Sequence, residues 1–288
     1  MTPDWLRPPD TLKYFAALVA EDAGFALLEA AISVGQDDNP RLDVQGVLSE
    51  IDRLGGALRR RLPADSAPLQ RLRALNRYFF DELGFSGNVN DYYDPHNSYL
   101  DQVLTSRRGI PITLALVYIE LAQAVGLTAR GVSFPGHFLV KLRLPAGEVV
   151  IDPFSGRSLS RDELDERLQP FRQRHGLEGE YDTPLGLFLQ TAEPRDVLAR
   201  LLRNLKEIHL GAEDWPRLLA VQQRLVLLLP QAMQERRDRG LTWAELGRPV
   251  EAMADLQAYL QAEPEAEDAR AMRLRLADLE RDDHPPLH

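Results

Sequence analysis

A histidine and an aspartate, His137 and Asp152, stand in two short apolar strings, Phe134-Pro135-Gly136-His137-Phe138 and Ile151-Asp152-Pro153-Phe154. A carboxylate beside an imidazole fixes the ring tautomer and leaves the other nitrogen free to take a proton, which is the base-and-orienter half of nucleophilic catalysis. Three readings of the pair are open: a buried polar pair across adjacent strands, an inherited ligand pocket, and a working base. The 288-residue chain has no cysteine, which excludes disulfides, thiolate metal sites and a thiol nucleophile. Thr113, in the helix before the histidine, and Ser98, ahead of it, are the hydroxyls read as candidates for another nucleophile. An unactivated hydroxyl is a much weaker nucleophile than a thiolate, so either would depend on the imidazole.

Elements able to position these groups are legible around them. Pro111 opens a helix, where its missing N–H costs nothing, and Ile112, Leu116, Ile119 and Ala122 continue it with Glu120 as almost its only charge. This helix is expected to be buried nearly all round and to end at Gly126. Residues 129–134, 138–144 and 149–151 alternate and are β-branched, giving three expected strands, the last two joined around Pro145-Ala146-Gly147. A helix feeding an antiparallel sheet is an α+β core. Before it, Asp43 is placed to cap a helix carrying Val44, Val47, Leu48, Ile51 and Leu54, which Gly55-Gly56 and Pro63 weaken or end. Another helix carries Leu69, Leu72, Leu75, Phe79 and Leu83. A polar turn at 86–91 follows, and Asn97 or Ser98 is read as the cap of a helix over Tyr99 to Thr105.

The C-terminal third is helical and repetitive. Pro230 and Pro264 close similar apolar runs 34 residues apart, the tetratricopeptide period, and Gly240, Trp243, Ala252 and Leu256 supply the small, aromatic, small and apolar positions of one good unit. The preceding unit is degenerate, with Lys206 where a small residue belongs, and residues 266–279 read as a capping helix.

Composition narrows the partner class. The net charge of −10, with 44 acidic against 34 basic side chains, disfavours nucleic acid and anionic membranes as main partners. The first residues lack a positive start and an apolar run, so the expected setting is cytoplasmic. The oxygen-rich stretch Asn88, Asn90, Asp91, Asp94 and Asn97 invites a calcium reading, but its spacing is not that of an EF-hand and turn-forming roles explain it. A transition-metal site would require the fold to gather His96, His137, Asp94 and Asp152. No metal or cofactor is expected. His284 and His288 fall in a proline-containing tail read as frayed.

Several strings together resemble the SirB1 family, in which a transglutaminase-like domain precedes tetratricopeptide repeats. They are residues 84–88, Asp91-Tyr92-Tyr93-Asp94-Pro95-His96-Asn97-Ser98-Tyr99-Leu100, Arg108-Gly109-Ile110-Pro111-Ile112, residues 131–139 and Ile151-Asp152-Pro153-Phe154. The resemblance spans roughly residues 12–280 and implies a papain-like fold whose relatives include protein-crosslinking enzymes and proteases. In active relatives Gly-x-Cys begins the buried helix, so Gly109-Ile110-Pro111 would put proline at the nucleophile position. His137 would then match the base and Asp152 the acid that holds it.

The expected organisation is residues 1–83 as an N-terminal helical part of the core, 84–190 as the transglutaminase-like α+β core and 191–288 as the repeat domain. The expected function is a non-catalytic interaction or regulatory protein, holding a protein or peptide through residues 195–280. Its cleft candidates are Tyr92, Tyr93, Asp94, Asn97, Thr113, Phe134 and Gly136, around a remnant His137–Asp152 pair. The alternatives are a cysteine-independent hydrolase or amide-transfer enzyme using that pair, and a small-molecule sensor with a pocket holding Tyr92, Tyr93, Phe134 or Phe138.

Overall fold

Each of two early helices begins where an aspartate can close its first turn. The Asp10 carboxylate accepts from Leu12 N at 3.0 Å at the start of α1 (Thr11–Leu18), and after α2 (Leu27–Ser33) Asp43 accepts from Gly46 N at 3.0 Å to start α3 (Val44–Arg59). In this computed structural model, which describes residues 10–21, 24–177 and 184–283, α3 continues through Gly55-Gly56 instead of ending there. The reason is packing: a Cβ on Gly55 would lie 2.7 Å from the Ala124 methyl, so the glycine lets two helices approach. The readings on residues 1–9 and on His284 and His288 lie outside the described residues.

Contacts divide the chain into two units, one of Leu27–Gly35 with Leu42–Val197 and the other of Met1–Ala26, Gln36–Arg41 and Leu198–His288. In the first, α4 (Pro68–Asn76) passes into a π-helical turn over Arg77–Glu82, and Gly84 at φ +73° reverses the chain into β1 (Ser86–Gly87). A 3₁₀ turn at Pro95–Ser98 and α5 (Leu100–Ser106) lead to β2 (Arg108–Gly109), which pairs parallel with β1, Gly87 opposite Gly109. Pro111 then opens α6 (Pro111–Ala124), whose residues 111–118 are all buried, as an uncharged helix should be. Tyr118, deep in it, donates to Asn76 Oδ1 at 2.6 Å.

The sheet is antiparallel in the order β3 (Thr128–Val132), β4 (Leu139–Leu144), β5 (Gly147–Asp152) and β6 (Arg157–Leu159). It has one strand more than the three expected, because the turn after Asp152 returns the chain along β5. A capping box, Ser160 with Glu163, then starts α7 (Arg161–His175), and α8 (Leu185–Phe188) follows. Leu164 and Leu168 of α7 pack with Val132, Phe134, Leu139 and Val150 in one core cluster.

The second unit is helical. Within α9 (Pro194–Gly211), α10 (Trp215–Leu228), α11 (Met233–Glu245), α12 (Pro249–Ala262) and α13 (Ala269–Asp283), α10 and α12 are both 14 residues long and begin 34 residues apart. Gly240 is small because a Cβ there would lie 3.1–3.3 Å from Asp255, Leu256 and the Ala252 carbonyl. At the matching place in the weaker repeat, Lys206 instead joins Glu235 at 2.6 Å and Asp238 at 2.5 Å. The sequence boundaries placed residues 1–83 wholly with the α+β core, whereas contacts give α1 and residues 36–41 to the helical unit. The cause is Arg224, which is fully buried, forks onto both oxygens of Asp37 at 2.7 and 2.6 Å and lies 4.8 Å from the Phe15 ring centroid. Asp37→Asn leaves that guanidinium buried without its charge partner and is expected to lower stability by about 3 kcal/mol, whereas Asp37→Leu combined with Arg224→Met costs far less. Urea unfolding followed by circular dichroism measures both.

Candidate functional site

His137 follows a tight turn in which Gly136 adopts φ +70° and the His137 N–H donates to the Phe134 carbonyl at 3.0 Å. The register that sets Val140 opposite Ile151 brings His137, two residues before β4, beside the end of β5, and His137 Nε2 meets Asp152 Oδ1 at 2.8 Å. Asp152 is buried, its side chain 3% exposed. Its Oδ1 also accepts from Phe154 N at 3.0 Å and Ser155 N at 3.4 Å, and its Oδ2 from the Ser155 hydroxyl at 2.9 Å and Arg167 Nη1 at 3.2 Å. Burial alone would push this carboxyl up, but the hydrogen bond and charge of His137, with the Ser155 and Phe154 donors, outweigh it and hold Asp152 well below the usual carboxylate range. The imidazole is 23% exposed, and its Nδ1 has no partner among the described residues. The pair is thus an oriented imidazole with one nitrogen available.

Aromatic rings extend from it. The His137 and Phe154 ring centroids are 6.3 Å apart, Phe154 and Tyr92 6.0 Å, and Tyr92 and Tyr93 5.4 Å. Phe154 is seated by Gly87, where a Cβ would fall 2.3 Å from the ring, and Gly87 N donates to the Phe154 carbonyl at 2.9 Å. Because Gly87 pairs with Gly109, two residues before Pro111, this contact joins the His137 side of the site to the start of α6. Tyr93 and Val89 stand out at 75% and 76% exposure, with Tyr92 between them in the loop.

The start of α6 is closed. Pro111 is buried, and the Thr113 hydroxyl, fully buried, donates towards the Asn97 carbonyl at 2.8 Å and the Ile110 carbonyl at 3.1 Å while accepting from Ile110 N at 3.2 Å. Asn97 is not a helix cap: its amide nitrogen donates to the Asp91 and Tyr92 carbonyls at 2.7 and 3.2 Å, and its side-chain oxygen accepts from Asn88 at 3.0 Å. Tyr99 occupies the cap position of α5 without a side-chain bond, and Asp94 caps the 3₁₀ turn through His96 N at 2.9 Å while touching the His96 ring at 2.7 Å. Of the cleft candidates, then, Thr113 and Asn97 are buried framework. Phe134 is corrected likewise, 1% exposed among core side chains and not facing a cleft. Tyr92, Tyr93, Asp94 and Gly136 lie on the open side.

A transglutaminase-like superfamily profile matches residues 45–203 and a tetratricopeptide repeat profile residues 205–277. A UPF0162 protein of Xylella fastidiosa is 38% identical over 260 residues, 90% of this chain and 92% of its own. The chain belongs to the UPF0162 family. A UPF0162 protein of Pseudomonas aeruginosa is 30% identical over 254 residues, 88% of this chain and 91% of the relative. A mouse F-box only protein 21 is 42% identical over 85 residues, 30% of this chain and 14% of that one. No solved structure matches significantly. The order of domains is the one that the SirB1 resemblance implied.

In this UPF0162 chain two site residues escaped the sequence reading. Ser155 carries a local signal, since an aspartate followed by a turn ending in Ser155-Gly156 can fold its carboxylate back onto the turn. Arg167 carries none, because only the placement of α7 brings it to Asp152. Among the described residues no group of three or more His, Cys, Asp or Glu is arranged to hold a metal ion, and no helix is long and apolar enough to cross a membrane. Since Asp152 has a lowered folded-state pKa, its charge contributes stability fully above the unfolded value of about 3.9 and loses it as pH falls through that value towards the folded one. Wild type is expected to exceed Asp152→Asn by about 2 kcal/mol at pH 7, with the gap closing below about pH 4. Denaturant titrations across pH give this difference directly.

Proposed function

We propose that this UPF0162 chain is a non-catalytic protein-interaction protein, in which a transglutaminase-like core has exchanged its nucleophile for a closed helix start and kept His137 as a contact group. The observation that carries the reading is the fate of the hydroxyls: Thr113 and Ser98 are both fully buried, and Thr113 is committed to the Ile110 N–H and carbonyl of its own turn and to the Asn97 carbonyl. Thr113 cannot reach a substrate without dismantling the start of α6, and Ser98 is closed off by its burial. What stays accessible is an imidazole backed by a carboxylate and flanked by Phe154, Tyr92 and Tyr93, the side-chain types that anchor peptides. The repeat residues 195–280 supply the second surface, for a protein or peptide partner. A cytoplasmic setting and a partner other than nucleic acid fit the net charge of −10.

The open Nδ1 of His137 favours one rival reading, a cysteine-independent hydrolase or amide-transfer enzyme in which the imidazole activates water. Glutamine deamidation, transamidation and peptide cleavage separate the two. No turnover is expected from wild type, and turnover that vanishes in His137→Ala sinks the interaction reading. Selection from a displayed peptide library on wild type is expected to yield binders that lose affinity about tenfold or more on His137→Ala or Tyr92→Ala. Pro111→Cys is expected to form no acyl-enzyme with a glutamine substrate, because the position is buried and the Ile110 N–H and Thr113 hydroxyl beside it are already paired. Mass spectrometry of the quenched reaction detects the acyl adduct if they are not.

A further inference from the structure

Away from His137, the α+β unit contains a cavity of about 370 Å³, between the outer side of α6, the start of β3 and residues 191–197. Its walls are apolar, formed by Leu28, Leu116, Ile119, Phe138 and Val197. The shape is built. Gly131 is there because a Cβ would lie 2.7 Å from the Phe138 ring, and the Gly131 carbonyl accepts from Ala192 N at 2.9 Å to hold the opposite wall.

One carboxyl breaks the apolar lining. Glu120, the single charge that α6 carries, is half-buried in this wall and has neither a hydrogen-bond nor an ion-pair partner among the described residues. Arg130 also lines the cavity but is exposed and spends one nitrogen on the Ala129 carbonyl at 3.1 Å. Glu193, exposed at the rim, makes the lining net negative. A half-buried carboxylate without a partner is costly, and an ammonium brought by a ligand would give it a charge-assisted hydrogen bond while the ligand's hydrocarbon covers the apolar wall. The volume falls in the range of small-molecule sites.

We propose that this cavity binds a small organic amine, its protonated nitrogen on Glu120 and its apolar body against Leu116, Ile119 and Phe138. The carboxyl is held above the usual range by burial, with Asp52 adding to the effect, as suits a group awaiting a cation. The site is independent of the His137 pair, so this inference and the interaction reading stand or fall separately.

The test is a titration of the full chain with 2-phenylethylamine and, as a shape-matched acid, 3-phenylpropanoate, followed by amide NMR. The amine is expected to shift residues 116–123 and 129–131 saturably and to bind at least about tenfold more tightly than the acid. Glu120→Gln is expected to remove about tenfold or more of the amine affinity, and Leu116→Trp, which fills the cavity, to abolish the shifts. No saturable shift by about 10 mM amine, equal binding of the acid, or unchanged affinity in Glu120→Gln overturns the proposal. The comparison of amine with acid uses wild type alone and decides the matter even if a variant fails to fold.

Discussion

A helix whose first two turns are buried all round has nowhere to put the backbone N–H groups of its first turn, and that constraint shapes this protein. At the start of α6 one such group is removed by Pro111, and the Ile110 N–H just ahead is met by the Thr113 hydroxyl and the Asn97 carbonyl at 3.2 and 3.3 Å. Satisfying those groups draws in the loop before α5: Asn97 is pinned beside α6, its amide then binds the Asp91 and Tyr92 carbonyls, and the two tyrosines are left on the outer curve of the loop. In a thiol enzyme the same buried helix start would activate a nucleophile. Here its polar capacity is used to close the turn.

The second organising group is the Asp152 carboxylate. A buried carboxylate must collect donors, and the five around it come from three directions: the strand partner His137, the turn at Phe154 and Ser155, and α7 through Arg167. The imidazole orientation is therefore a by-product of satisfying the acid as much as a catalytic device.

What could be read in the sequence was what local physics decides. Asp43 capping α3, Pro111 opening an apolar helix and the alternation of β4 each depend on neighbours within a few residues, the 34-residue period is a repeat along the chain itself, and each is present. The pairing of His137 with Asp152 was legible through family strings and through strand spacing. The remainder depends on distant partners. A two-residue parallel pair such as β1 with β2 is too short to leave a pattern, and Phe134 alternates like a cleft residue until α7 covers it. Gly55-Gly56 looked like a break because nothing local announces that Ala124 needs the space. The Arg224–Asp37 pair joins residues far apart in the chain and was invisible for the same reason.

The seat of Phe154 on Gly87 also bears on how the molecule is assembled. The chain between residues 87 and 154 contains α5, α6 and the strands β2 to β5, and bringing its ends together costs loop-closure entropy that the docked ring helps to offset. The surroundings of the imidazole are thus completed by one of the most non-local contacts in the α+β unit. Substitution at residue 87 is therefore expected to disturb the neighbour of the imidazole although the two positions are far apart in the chain.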